Sequence, residues 1–185
     1  MYDSDAPRLA WAITGSGQYL RECMELIRGH DRVDLFLSTA AAEVLTMYGY
    51  PLDTLRRGMR VFRDNTASSV PVGLFYAGHY HTLVIAPATS NTVAKCAWGI
   101  SDTLVTNIFA QAGKCRVPSI VFACDTGPEL ESEAPRKTVT VYPRRIDLEN
   151  VERLSGFEDT LVVSGIDQLR QALEIPPACL NASFS

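Results

Sequence analysis

The sequence predicts a three-layer α/β/α domain around a central parallel sheet. Short, buried-looking apolar runs recur along the chain. Patterns with helical spacing follow them, so strands and helices alternate. Small polar residues stand at the carboxyl end of nearly every run, where an open parallel sheet places its ligand crevice. Each element can be read in turn.

"LAWAIT" (9–14) is the first strand, ending in Gly15-Ser16-Gly17. Leu20, Cys23, Met24 and Ile27 then recur at i, i+3, i+4 and i+7, a helix stripe that Gly29 stops. "VDLFLS" is the next strand, and "TAAAEVLTMYG" is helical up to Gly49. Residues 50–81 read as a short helix and an active-site or contact loop holding Pro51, Asn65, Thr66, Ser68, Ser69 and Pro71. "TLVIAP" is a buried strand, followed by helical pieces from Asn91 to Trp98 and from Asp102 to Ala112, then the strand "PSIVFAC".

Residues 125–137, "DTGPELESEAPRK", are rich in Pro and Glu and read as an exposed loop or lid. "TVTVYP" alternates like a strand, "LENVERL" and "IDQLRQAL" are helices flanking "TLVVS", and 176–185 is a loose or contact-making tail. Gly99 ends one helix of the middle segment. Ser101 is expected to cap the next, with Asp102 favouring its dipole from the first turn.

Composition narrows the function. The 185 residues carry a net charge of −4, which offers no electrostatic footprint for nucleic acid. Arg56, Arg57, Arg60 and Arg63 form the main basic cluster, either a solvated face or a contact for an anion or subunit. Five cysteines, Cys23, Cys96, Cys115, Cys124 and Cys179, make no C-x-x-C pair and fit a reducing cytoplasm without a disulfide framework. No apolar run is long enough to span a bilayer, and the acidic "MYDSDAPR" is unlike a signal peptide, so a cytoplasmic location is expected. His79 and His81 would share a strand face, but a third ligand is missing and no metal is expected.

The strand ends point to a phosphate-bearing ligand. Glycines allow close approach, and helix N-termini offer unpaired N–H groups. Leu20 stands where G-x-G-x-x-G needs its third glycine, and Ser38-Thr39 stand where a dinucleotide site has an acid. A mononucleotide is therefore favoured over a dinucleotide.

The stretch "APATSNTVAKCAWGISDTLVTN" resembles the P-A-x-x-N-T-x-A-K…G-x-x-D-x-L segment of the homo-oligomeric flavin-containing cysteine decarboxylase superfamily. "YPRRIDLENVERL" is similar to its dihydromethanopterin reductase and archaeal-type flavoprotein branch. The resemblance implies one Rossmann-like (flavodoxin-like) flavoprotein domain over 1–185 and FMN as cofactor. Gly15, Ser16 and Gly17 would lie near the phosphate and ribityl chain, beside Ser38 and Thr39. Ala88, Thr89, Ser90, Asn91 and Thr92 would line the ring and phosphate, with Ser101 and Asp102 contributed across a subunit boundary. It also implies a homo-oligomer built from trimers into a larger shell.

The decarboxylases carry a P-x-M-N-x-x-M-W substrate clamp where this chain reads "FACDTGPELES", and the prenyltransferase pattern C-S-M-K-T is replaced by Ala88 to Thr92. The resemblance therefore implies an FMN-dependent oxidoreductase of the dihydromethanopterin reductase type, reducing a dihydropterin to the tetrahydro form. A phosphopantothenoylcysteine decarboxylase-like enzyme and a non-catalytic FMN electron carrier are the alternatives.

Asp125, the catalytic candidate, either hydrogen-bonds the pterin or caps its loop, and Cys124 lies near the flavin or ends the strand. Lys95 faces the flavin or a subunit interface. Cys23, Cys96 and Cys115 read as core, while Trp98 and Tyr76 read as core or interface.

Overall fold

The computed structural model describes residues 6–64, 69–134 and 137–180. The acidic residues at the start of the chain, Asn65, Thr66 and Ser68 of the irregular segment, and 181–185 of the expected tail lie outside the described residues.

The six strands of the main sheet are β1 (Arg8–Ile13), β2 (Val33–Leu37), β3 (Arg60–Arg63), β4 (Tyr80–Ala88), β5 (Ser119–Ala123) and, numbered after the hairpin below, β8 (Thr160–Val163). All pair in parallel, in the order β3-β2-β1-β4-β5-β8. The chain therefore builds outward from β1 in one direction and then, from β4, in the other. The reversal between β1 and β4 is the switch point at which open α/β sheets take their ligands.

Burial explains why the strands form. Residues of β1 alternate between two cores: Leu9, Trp11 and Ile13 enter one, Ala10 and Ala12 the other. The first core is closed by Leu20, Met24 and Ile27 of α1 (Leu20–Arg28), by Ala41 and Leu45 of α2 (Thr39–Met47), and by Leu169 of α8 (Ile166–Glu174). The second is closed by Val93 and Cys96 of α5 (Ser90–Ala97), Leu104 and Ile108 of α6 (Leu104–Lys114), and Leu154 of α7 (Arg145–Ser155). Trp11, fully buried, donates its indole N–H to the Ala86 carbonyl at 2.7 Å. Each such large side chain contributes about 1.5–3 kcal/mol by leaving water. Removing one, as in Leu20→Ala, costs about 2–5 kcal/mol through the cavity it leaves.

Several expectations are corrected. Residues 50–81 hold α3 (Leu52–Gly58), the edge strand β3 and a further helix α4 (Ser69–Tyr76), where the sequence suggested one helix and a loop. Within 125–137, the exposed loop gives way to a hairpin whose strands β6 (Leu130–Ala134) and β7 (Lys137–Val141) pair antiparallel. The described part of the tail includes the short helix α9 (Pro177–Leu180), whose Leu180 is buried in the first core. Thr103, not Ser101, caps α6, since only Thr103 finds a reciprocal partner at Thr106. Asp102 accordingly precedes the helix. Trp98 and Tyr76 are exposed and so lie outside the core of the chain, and Cys115 is only partly buried.

No disulfide joins the cysteines among the described residues. No helix among the described residues is long and apolar enough to cross a membrane.

Candidate functional site

A cavity of about 320 Å³ opens at the carboxyl ends of the strands beside the switch point. Thr14 and Gly15 enter it from β1, Ser38 to Ala40 from β2, Asp64 from β3, and Thr89, Asn91, Thr92 and Lys95 from β4 and α5. Thr103 and Val105 close it from α6.

Hydrogen bonds fix this frame. The buried Thr14 hydroxyl donates to the Pro87 carbonyl and accepts from the Thr89 amide, both at 2.8 Å, which ties the ends of β1 and β4 together. The Thr39 hydroxyl donates to the Asp64 carbonyl at 3.0 Å, and the Asp64 carboxylate accepts from the Leu104 amide at 3.0 Å. Asp64 thus joins the edge strand to the start of α6.

Two helix starts line the cavity. Ser38 caps α2 by accepting from the Ala41 amide at 3.0 Å, and Thr89 caps α5 by accepting from the Thr92 amide at 3.4 Å. The Thr39, Ala40, Ser90 and Asn91 N–H groups are left without a bond inside their helices. Their partial positive charge suits an anion, and the Lys95 ammonium stands at the rim in its pair with Asp102.

Close packing holds the turn after β1. A Cβ on Gly15 would lie 2.6 Å from that of Ala40, and one on Gly17 would lie 2.1 Å from the Tyr48 hydroxyl. Side chains there would fill the cradle. The Ser16 hydroxyl accepts from the Gln18 amide at 3.2 Å and from the Cys124 thiol at 3.3 Å. Burial pushes the Cys124 thiol up to about 12, so it stays protonated. Lys95 places its ammonium 2.8 Å from both oxygens of Asp102, and that hydrogen bond holds the Asp102 carboxyl below the usual range.

Of the residues singled out from the sequence, Gly15, Ser38, Thr39, Thr89, Asn91 and Thr92 meet at this cavity. Ser16, Gly17, Cys124 and Asp102 stand behind or beside it. Ala88 is buried in the sheet, its carbonyl accepting from the Cys124 amide at 3.0 Å, and Ser90 sits in the first turn of α5 without lining the cavity. Ser101 faces a different, mostly apolar cavity with Cys96, Phe109 and Phe157. Asp125 is half-buried beyond β5, and its charge reaches Arg144, which pairs with Asp147 at 2.8 Å.

The structure adds Thr14, Ala40, Asp64, Thr103 and Val105 to the lining, and decides that Lys95 lines it too. Thr14 was signalled by ending an apolar run, whereas Asp64 follows an edge strand whose sequence gives little sign of pairing. Among the described residues, no cluster of three His, Cys, Asp or Glu side chains is placed to hold a metal.

A parallel sheet with amide-lined helix starts at its switch point defines a protein of the nucleotide-binding α/β class. The chain belongs to the Flavoprotein family, whose model matches residues 2–180. The crystal structure of Burkholderia xenovorans DmrB in complex with FMN, described as a cubic protein cage for redox transfer, is 57% identical, with a TM-score of 0.84 over 93% of this chain and 95% of that one. The dihydromethanopterin reductase (acceptor) of Methanosarcina mazei is 39% identical over 69% of this chain, and the match spans 59% of that reductase. Phenylacrylic acid decarboxylase from Aquifex aeolicus, 21% identical with a TM-score of 0.67 over 92% of this chain and 98% of that one, shares the fold.

Proposed function

We infer that this protein is an FMN-dependent oxidoreductase of the dihydromethanopterin reductase type. The observation that carries the reading is the cavity at the β1/β4 switch point, lined by the starts of α2 and α5 and by close-packed glycine turns. That donor set fits the phosphate end of FMN. The similarity to a FMN-binding chain at 57% identity and to a named reductase supports the choice of cofactor and reaction class.

In this reading Gly15, Thr39, Ala40 and Asn91 hold the phosphate and adjoining chain by their amides. Gly17, Ser16, Ser38 and Cys124 keep those turns in place. Ala88, Thr89, Ser90 and Thr92 border the ring side, where small residues leave room. FMN bound here and reduced by an external donor would supply a hydride to the carbon of a dihydropterin C=N bond, with a proton from solvent completing the tetrahydropterin at the nitrogen. Asp125 stands at the end of β5 as the polar group offered to the pterin, and the β6–β7 hairpin after it is the candidate lid.

The cavity is open to solvent along its rim. The remainder of the cofactor is covered by a neighbouring copy, with Ser101 and Asp102 on the segment that reaches it. A trimer-based homo-oligomer, assembled into a shell, follows from this reading and accords with the cage described for the B. xenovorans protein.

The test is anaerobic. Protein loaded with FMN and chemically reduced is mixed with candidate dihydropterins, and the return of flavin absorbance is followed together with the tetrahydropterin product. Retention of FMN with pterin-dependent reoxidation supports the reading. Protein that fails to take up FMN defeats it at the cofactor. Reoxidation by one-electron carriers, without turnover of any dihydropterin, would make the chain an electron carrier instead. Release of carbon dioxide from phosphopantothenoylcysteine would make it a decarboxylase.

A further inference from the structure

On the α5–α6 side of the sheet, a cavity of about 330 Å³ lies over Ser119 and Thr160, the first residues of β5 and β8. Ile100, Phe109 and Phe157 give it apolar walls, while Ala110 and Gly113, one helical turn apart on α6, form a side of small residues. None of these residues lines the flavin cavity.

The floor holds a polar group with nothing to bond. Ser119 is only 2% exposed. By strand alternation its side chain shares a face with Val121 and Ala123, the face that α5, α6 and α7 cover. The other buried hydroxyls of the lining are occupied: Thr106 donates to the Thr103 carbonyl and Thr160 to the Glu158 carbonyl, each at 3.2 Å. The Ser119 amide donates to the Asp159 carbonyl at 2.8 Å, but the Ser119 hydroxyl makes no hydrogen bond among the described residues. Buried polar groups nearly always have a partner, because leaving one unbonded away from water is unfavourable.

The walls leave room for that partner. Gly113 stands inside α6, where glycine is a poorer helix former than alanine. A Cβ there would meet no atom within 4 Å, so packing inside the chain does not require glycine. At the rim Lys114 and Glu158 are exposed and opposite in sign, so the entrance favours neither an anion nor a cation. At ~30 Å³ per water, the space corresponds to about eleven waters, enough for a bicyclic aromatic molecule.

We propose that this cavity is a ligand site, separate from the flavin cavity, for a neutral and largely apolar molecule of that size with one polar group. The polar group bonds to the Ser119 hydroxyl, and the apolar body lies against Phe109 and Phe157. The lining follows the usual division of labour in small-molecule sites, in which apolar walls supply affinity and a few polar groups fix orientation.

Isothermal titration of the full chain with indole and with indene, in the presence and absence of FMN, tests the proposal. The two probes have nearly the same shape, but only indole carries an N–H, which the Ser119 oxygen can accept. Both are expected to bind, with or without FMN. Ser119→Ala should weaken indole by about fivefold, the scale of one hydrogen bond, and leave indene unchanged. Gly113→Leu fills the space and should exclude both probes. Both variants are expected to fold, since one removes an unbonded hydroxyl and the other replaces a helical glycine with a better helix former. The proposal is overturned if neither probe gives heat, if Ser119→Ala affects the two probes alike, if Gly113→Leu still binds them, or if FMN displaces them. A change in the sedimenting mass of Gly113→Leu would overturn it too, by making the cavity a contact between copies of the chain.

Discussion

The Lys95 ammonium lies 2.8 Å from both carboxylate oxygens of Asp102, a bridge across the turn between α5 and α6. Gly99, at φ +69°, makes that turn possible, because a left-handed residue stops α5 with little strain only when it has no Cβ. The pair is exposed, so it adds little to stability. Its effect is positional: it keeps a cation at the rim of the cavity that Asn91 and Thr92 line one turn earlier.

Lys95→Ala should therefore weaken FMN binding by roughly tenfold, the scale of one lost charge-assisted hydrogen bond, with little change in melting temperature. Asp102→Asn keeps the cation but frees it, and the loss should be smaller. Titration of flavin fluorescence against each variant measures both. Equal losses for FMN and riboflavin in Lys95→Ala would place the ammonium away from the phosphate.

The glycines after β1 make a graded prediction. The atom that a Gly15 side chain meets is the Ala40 Cβ, which cannot swing away because it is anchored to a helix. Gly17 meets the far end of Tyr48, which can rotate. Gly15→Ala should destabilise the fold by about 1–3 kcal/mol through overpacking and reduce FMN uptake, and Gly17→Ala should do less of both. Denaturant melts with flavin content measured on the same samples decide the order.

What the sequence made legible follows from burial. β1, β2, β4 and β5 are covered on both faces, so they read as continuous apolar runs, and the polar residues ending them could be placed at the crevice. β3 is an edge strand, "RVFR", with its arginines exposed, and α4 carries Pro71 and Gly73 within a helix. Neither has the expected signature, and Asp64 was hidden with them. The segment "SDT" offers three successive residues able to cap α6. Thr106, three residues on in the first turn, completes the reciprocal cap and selects Thr103, and its signal is weak because a threonine stands where the usual box has Glu or Gln. The β6–β7 hairpin is hidden for another reason: its strand "LESEA" is charged, and its described residues join neither hydrophobic cluster.

The buried carboxylate of Asp34 accepts from three side chains: Arg8 at 2.8 Å, Arg60 at 2.9 Å through Nε and also through a terminal nitrogen, and the Tyr80 hydroxyl at 2.8 Å. It joins β1, β2, β3 and β4 at one point. Asp34→Ala should cost about 3 kcal/mol, the low end for breaking a buried pair, because both arginines retain some access to water. Tyr80→Phe should cost about 1 kcal/mol. Burial first, then the bond to Asp34, raises the Tyr80 phenol above its ordinary value of 10.0. Its contribution is thus complete below pH 10.0 and is lost as pH rises toward the folded value. Thermal melts in alkaline buffer should fall less steeply in Tyr80→Phe than in the unaltered protein.

The cysteines should react in an order set by burial. Cys96 and Cys124 are buried and pushed up to about 12 by loss of water, and burial raises Cys23 as well. A thiol raised this far forms almost no thiolate near neutral pH, and the thiolate is the nucleophile. Cys179 is exposed and Cys115 is partly so. Brief maleimide treatment of the native protein, mapped by peptide mass spectrometry, should label Cys179 first and Cys115 more slowly, and should leave the other three unlabelled until denaturant is added. Cys124 gives the sharper result because its thiol donates to Ser16 at 3.3 Å and so fastens the turn after β1 to the end of β5. Cys124→Ala removes that tie, and Ser16 and Gln18 then hold the turn alone. The variant should melt lower by the equivalent of about 1 kcal/mol and release FMN faster, while Cys96→Ala, which opens a gap between α5 and α6 away from the turn, should lower the melting temperature without changing the release rate. Rapid labelling of Cys124 in the folded protein would show that the end of β5 opens to solvent and that the thiol does not hold the turn.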